Sequence, residues 1–135
     1  MKAAPAQTLD AAAPTTLHLF IASLSAGDVR SATACFTREA CLITPDGTAI
    51  HGRSEIAGIL DQLRARRTEI SVEQLVVREA GDVALAGGRL KIRSDGPEGA
   101  RIEQSCDPSA ALHRVEGVWK IAILDPWAAN FTARP

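Results

Sequence analysis

The chain has 135 residues, 46% of them hydrophobic and 23% charged, with a formal net charge of -1. This is the composition of one soluble domain, large enough to bury a core without a disulfide or metal staple. The near-neutral balance argues against nucleic acid as a partner, and no run is long and apolar enough to span a bilayer, so no membrane partner is expected either. Three cysteines, Cys35, Cys41 and Cys106, lack C-x-x-C spacing, so they read as reduced thiols of a cytoplasmic protein, with no metal and no cofactor expected.

Residues 1–14 are rich in Ala and Pro without sustained periodicity and read as a flexible arm. The domain is expected over 15–128, followed by a tail over 129–135. Leu17, Phe20, Ile21 and Leu24 fall at helical spacing, and Gly27 is placed to end that helix in the left-handed conformation. Asp28 then caps a second, short helix whose stripe is Val29, Ala32, Thr33 and Phe36. A strand over Ala40–Thr44, a turn at Pro45-Asp46-Gly47 and a return strand over Ala49–His51 come next. Ser54 is a candidate cap for a third helix with the stripe Ile56, Ile59, Leu60 and Leu63, and Arg64, Arg66 and Arg67 suit its far end. HGRSEI is neither a G-x-G-x-x-G nor a P-loop, and Glu55 would repel a phosphate there, so His51 reads as a rim residue ahead of a capped helix.

The second half alternates like sheet over 69–79, 83–94, 100–115 and 118–125, with hairpin chemistry at Gly81-Asp82, Asp95 to Gly99 and Glu116-Gly117. Asp107-Pro108 marks an edge, a bulge or a bend in the third run. Helices first and a curved antiparallel meander afterwards predict an α+β domain with helices on one face of the sheet. In the run 83–94, Ala84, Ala86, Leu90 and Ile92 share one parity and Val83 and Leu85 the other. The far face therefore needs a cover too, which a homodimer through the sheet would supply.

The helix ending in SAGD, the passage ACFTREACLITPDG, the hairpin into HGRSEI and the last strands LHRVEGVWKIAILDPW together resemble the nuclear transport factor 2-like superfamily, in its SnoaL-like and ketosteroid-isomerase-like branch. The resemblance covers about residues 15–127. It implies a cone-shaped, cystatin-like fold, with N-terminal helices packed on a strongly curved antiparallel sheet and a largely apolar pocket in a homodimer. Isomerases, dehydratases, epoxide hydrolases and polyketide cyclases share this fold with domains that catalyse nothing, so fold alone does not assign function. Ketosteroid isomerization needs a carboxylate base, a tyrosine and a protonated acid. This chain has no tyrosine, and the two acid positions align near Thr44 and Ala111.

His113 shares parity with Ala111 and Val115, which places it in the interior as a candidate general acid or base, with Asp107, Glu103 or Asp125 as partner. Cys106 reads as a small buried thiol rather than a nucleophile. Arg89, Lys91 and Arg93 read as solvated ladder charges. Phe20, Leu24, Thr44, Ala111, Trp119, Ile123 and Trp127 are the candidate pocket-lining residues, with both tryptophans equally consistent with core. Two functions follow. One is a pocket protein for a small apolar or polycyclic molecule, with isomerase-, cyclase- or hydratase-like proton transfer as its chemistry. The other is a non-enzymatic homodimeric interaction domain with a vestigial pocket.

Overall fold

The computed structural model describes residues 12–126. Helix α1 (Ala13–Ser25) leads into α2 (Val29–Ala34), strands β1 (Phe36–Ile43) and β2 (Ala49–His51), and helix α3 (Arg53–Ala65). Strands β3 (Glu69–Ala80), β4 (Val83–Asp95), β5 (Arg101–Cys106), β6 (Ser109–Val115) and β7 (Val118–Asp125) complete the domain. The expected arm over 1–14 and tail over 129–135 fall almost wholly outside the described residues. α1 begins at Ala13, ahead of the expected Thr15, with Pro14 in its first turn, where the missing N–H costs nothing.

The helix ends follow from local chemistry. Gly27 sits at φ 81; its N–H bonds Leu24 O at 3.0 Å, and the Asp28 N–H bonds Ser23 O at 2.8 Å. This is a Schellman ending, and Asp28 goes on to accept from the Ser31 N–H at 3.1 Å and start α2. α3 ends in the same motif, with Arg67 at φ 51 in place of a glycine and the Thr68 N–H on Leu63 O at 3.1 Å. Its start differs from expectation. Gly52, at φ 89, is the N-cap and no side chain caps the helix, so Ser54 lies inside the first turn.

The seven strands form one sheet in the order β2-β1-β7-β6-β4-β3, with β5 also paired to β4. It is mixed rather than wholly antiparallel, because β1 runs parallel to β7. The third β run is two strands. β4 pairs β6 through Val83–Gly87 and β5 through Leu90–Asp95, so the break at Asp107-Pro108 is where the sheet bends. Opposite it, β3 carries an extra residue, Glu73, between Val72↔Leu90 and Gln74↔Arg89, a bulge that adds local twist and bend. A second bulge places Ala122 between Ala111↔Ile123 and Leu112↔Ile121.

The core lies between the helices and the sheet's inner face. Phe20 and Phe36 meet edge to face at 5.3 Å, beside fully buried Ile56, Leu60, Leu112, Trp119 and Ile121. The Arg53 guanidinium donates twice to Phe36 O, at 2.9 and 2.6 Å, closing the irregular stretch of β1 where register with β7 is lost.

A Cβ added at Gly88 would lie 2.0 Å from the Gln74 carbonyl oxygen. Gly88→Ala should therefore cost about 2 kcal/mol or more by forcing backbone apart at the bend; urea unfolding checks this, with Gly81→Ala, where a Cβ meets nothing within 4 Å, as the milder comparison.

Candidate functional site

A cavity of about 250 Å³ opens between the sheet's inner face and the two longer helices. α1 supplies Phe20 and Leu24; α3 supplies Ile59, Leu60, Gln62 and Leu63; the sheet supplies Leu42, Ile70, Ile92 and Leu124. Ile59 and Leu63 stay only partly buried because they line this space. A smaller hollow of about 50 Å³ adjoins it, sharing Phe20, Ile70, Leu124 and Pro126 and reaching Gly87 and Gly88 at the bend. The Ser25 hydroxyl, accepting from the Ile70 N–H at 3.0 Å, ties the end of α1 to β3 across the cavity's edge.

The polar groups gather at one end. Thr44 Oγ1 donates to Asp46 Oδ1 at 2.5 Å, and this bond is the main reason the Asp46 carboxyl lies below its ordinary range. Across from it, the end of α3 brings Arg66 and Thr68 to the lining. Arg64 pairs with Asp61 at 2.7 Å, Arg67 with Asp95 at 2.8 Å, and Arg101 with Asp95 at 3.0 Å and Glu69 at 3.4 Å. Hydrogen bonds from Arg67 and then Arg101 pull Asp95 down to about 2. Arg66 takes a different partner: its Nε donates to the Asp95 backbone oxygen at 3.2 Å. Thr68 is 3% exposed, and its hydroxyl, shielded from solvent, has no hydrogen-bond partner among the described residues. It stands on the wall between the cavity and a polar cleft that includes Ser25, Arg64 and Glu69.

The domain model of the SnoaL-like family matches residues 14–124. The chain belongs to the SnoaL-like family. A nuclear transport factor 2-like superfamily protein of Salmonella enterica serovar Typhimurium is similar at 14% identity, covering 89% of this chain and 92% of that one, with a TM-score of 0.74. A ketosteroid isomerase-like protein of Erwinia carotovora atroseptica has 15% identity, covers 86% and 92%, and has a TM-score of 0.73. A cystatin-like fold protein of Caulobacter vibrioides has 14% identity, covers 83% of each chain, and has a TM-score of 0.74. At such identities the likeness establishes fold. No curated protein matches the sequence.

In this SnoaL-like domain the expected site residues separate. Phe20, Leu24 and Thr44 line the cavity. His113 does not point inward: it is exposed, and with Ala111 it lines a groove on the outer face. The inward residues of β6 are Ala110 and Leu112, on the parity of Arg114. That arginine had made their face look like the solvent side; instead it lies over the Trp119 ring at 5.2 Å and pairs with Asp82 at 3.1 Å. Asp107 is bound to Arg89 at 3.0 Å beyond the far end of β6. Four residues of strand, about 13 Å, separate Ser109 from His113, so the proposed acid–base pair is not assembled.

Trp119 is buried core, 1% exposed, and Ile123 is 47% exposed because the Ala122 bulge swaps the faces of β7. Neither lines the cavity. Trp127 lies outside the described residues. Of the other proposed partners of His113, Glu103 pairs with Lys91 at 3.4 Å and Asp125 is buried. Burial raises the Cys35, Cys41 and Cys106 thiols above their ordinary value, which makes them less reactive. No cluster of metal-ligating side chains occurs among the described residues, and no described helix is long and apolar enough to cross a membrane.

Sequence reasoning missed Arg66 as a lining residue, reading it with Arg64 and Arg67 as helix-end charge, and passed over Thr68. Only knowing where the chain turns after α3 singles them out.

Thr68→Val keeps the shape and deletes an unsatisfied buried hydroxyl. It should raise stability by about 1 kcal/mol or leave it unchanged, measured as the thermal midpoint of the unliganded protein; a clear loss would mean that the hydroxyl has a stabilising partner.

Proposed function

We propose that this SnoaL-like protein binds a small, largely apolar molecule in the cavity between α1, α3 and the sheet. The observation that carries the reading is the cavity itself: it is walled by aliphatic side chains and Phe20, with its polar groups confined to one end. A vestigial pocket would be filled by side chains, and this one has about 250 Å³ of space. That volume is just below the ~300–1,000 Å³ of drug-sized sites, which favours a single ring or short chain over a polycyclic ligand. Among the described residues no histidine, aspartate or glutamate lines it, which supports binding over isomerase-, cyclase- or hydratase-like proton transfer.

The protein works as a homodimer in this reading, joined through the outer face of the sheet. There Leu85 is 68% exposed, Val83 55% and Ile123 47%. Val83 and Leu85 line a groove of about 550 Å³ together with Ala111 and Ala122, and a monomer rarely leaves such a surface uncovered.

Two measurements test these points. A thermal-shift screen of small apolar molecules should give a rise of several degrees for at least one class when it saturates the site about a hundredfold above Kd. Leu63→Trp, which plugs the cavity, should abolish that rise, and loss of the reading follows if no class shifts the protein. Leu85→Glu should convert a dimer to a monomer by light scattering while preserving the ligand response; a monomeric parent would end the dimer proposal.

A further inference from the structure

Resting on the ligand reading above, we infer that the cavity takes a small monocarboxylic acid, its apolar body inside and its carboxylate at the mouth between Arg66 and Thr68. Arg66 is the one charged side chain among the described residues that line the space. It is also the one arginine of its cluster without a carboxylate partner among the described residues: Arg64 has Asp61, Arg67 has Asp95, and Arg101 has both Asp95 and Glu69. Four guanidinium groups therefore face three carboxylates, and the unmatched positive charge is the one at the cavity.

The geometry of the donors suits a carboxylate. The Nε of Arg66 is occupied by the Asp95 backbone oxygen, which orients the guanidinium and leaves its two terminal nitrogens as a fork for a planar two-oxygen acceptor. Thr68 supplies a second, independent sign. Its side chain lines the same cavity, and its buried hydroxyl has no hydrogen-bond partner among the described residues, a cost that a ligand oxygen would remove once the side chain turns toward the space. A phosphate dianion would need more donors than one arginine and one hydroxyl provide, and a cationic ligand would be repelled. With about 30 Å³ of liquid volume per non-hydrogen atom, the space of about 250 Å³ matches a body of roughly eight such atoms. Octanoate is thus the fitting probe and octanamide its neutral counterpart.

Titration calorimetry of the full chain at neutral pH and low salt decides the matter. Octanoate should bind about tenfold more tightly than octanamide, a modest factor because Arg66 is exposed to solvent. Arg66→Gln should weaken octanoate about tenfold and leave octanamide unchanged, which also shows that the variant is folded; Arg66→Lys should keep part of the preference. Thr68→Val should weaken octanoate several-fold, and Arg64→Gln, whose arginine is already paired, should change neither ligand. Equal affinity for acid and amide, or an octanoate affinity indifferent to Arg66→Gln, overturns the carboxylate assignment and leaves the apolar pocket standing. Failure of both probes to bind, together with a silent screen of neutral compounds, overturns both.

Discussion

Strand β4 has to serve two partners. Its first half hydrogen-bonds β6 and its second half β5, while β3 follows it from Val83 to Arg93 on its other edge. A flat strand could not do this, so the chain bends where the partners change. Gly87 and Gly88 occupy that point, and the Glu73 bulge in β3 lets the neighbouring strand follow. Because the Gln74 carbonyl comes so close to Gly88, the bend tolerates no side chain at that position. The inner face then wraps around α1, and the space that the bend leaves against the helices becomes the cavity and its smaller neighbour.

The second constraint lies at the helix ends. α1 and α3 finish side by side, close enough that a Cβ on Gly27 would touch Arg64 Cγ at 3.6 Å. Both end in the same backbone motif, so their terminal carbonyls are bonded within the chain. That motif turns the chain sharply at Arg67, presenting Arg66 on one side and burying Thr68 on the other. The pairing of Arg67 and Arg101 with Asp95 fastens this corner to the end of β4. The polar end of the cavity is therefore built by chain reversal rather than by any stretch with a recognisable motif.

Much of the fold was legible because it rests on short-range chemistry. The stripe Leu17, Phe20, Ile21 and Leu24 marks α1, Gly27 and Asp28 mark the corner after it, and Glu116-Gly117 marks the last hairpin, with positive φ at both residues. What stayed hidden depends on contacts between distant segments. β6 is mildly apolar on both parities, so only the position of the helices decides that Leu112 faces in and His113 out. The parallel pairing of β1 with β7 likewise leaves no local trace. For the site, Phe20, Leu24 and Thr44 could be placed from the resemblance. Arg66 and Thr68 could not, since RARRT reads alike whether or not a cavity adjoins it.

The bulge at Ala122 has a consequence for how this chain can vary in length. A hairpin such as Glu116-Gly117 can absorb an inserted residue by growing outward. Ala122 can be lost without changing any face, because Ile121 and Ile123 already oppose the consecutive β6 residues Leu112 and Ala111, but it cannot be doubled so cheaply. A second extra residue there, with the bulge still absorbing only one, would act like a reading-frame shift in three dimensions: Leu124 would leave the cavity wall, Ile123 would enter it, and the outer face would lose an apolar residue. One alanine set out of the ladder thus lets Ile121 and Leu124, three positions apart, face the same side of the sheet.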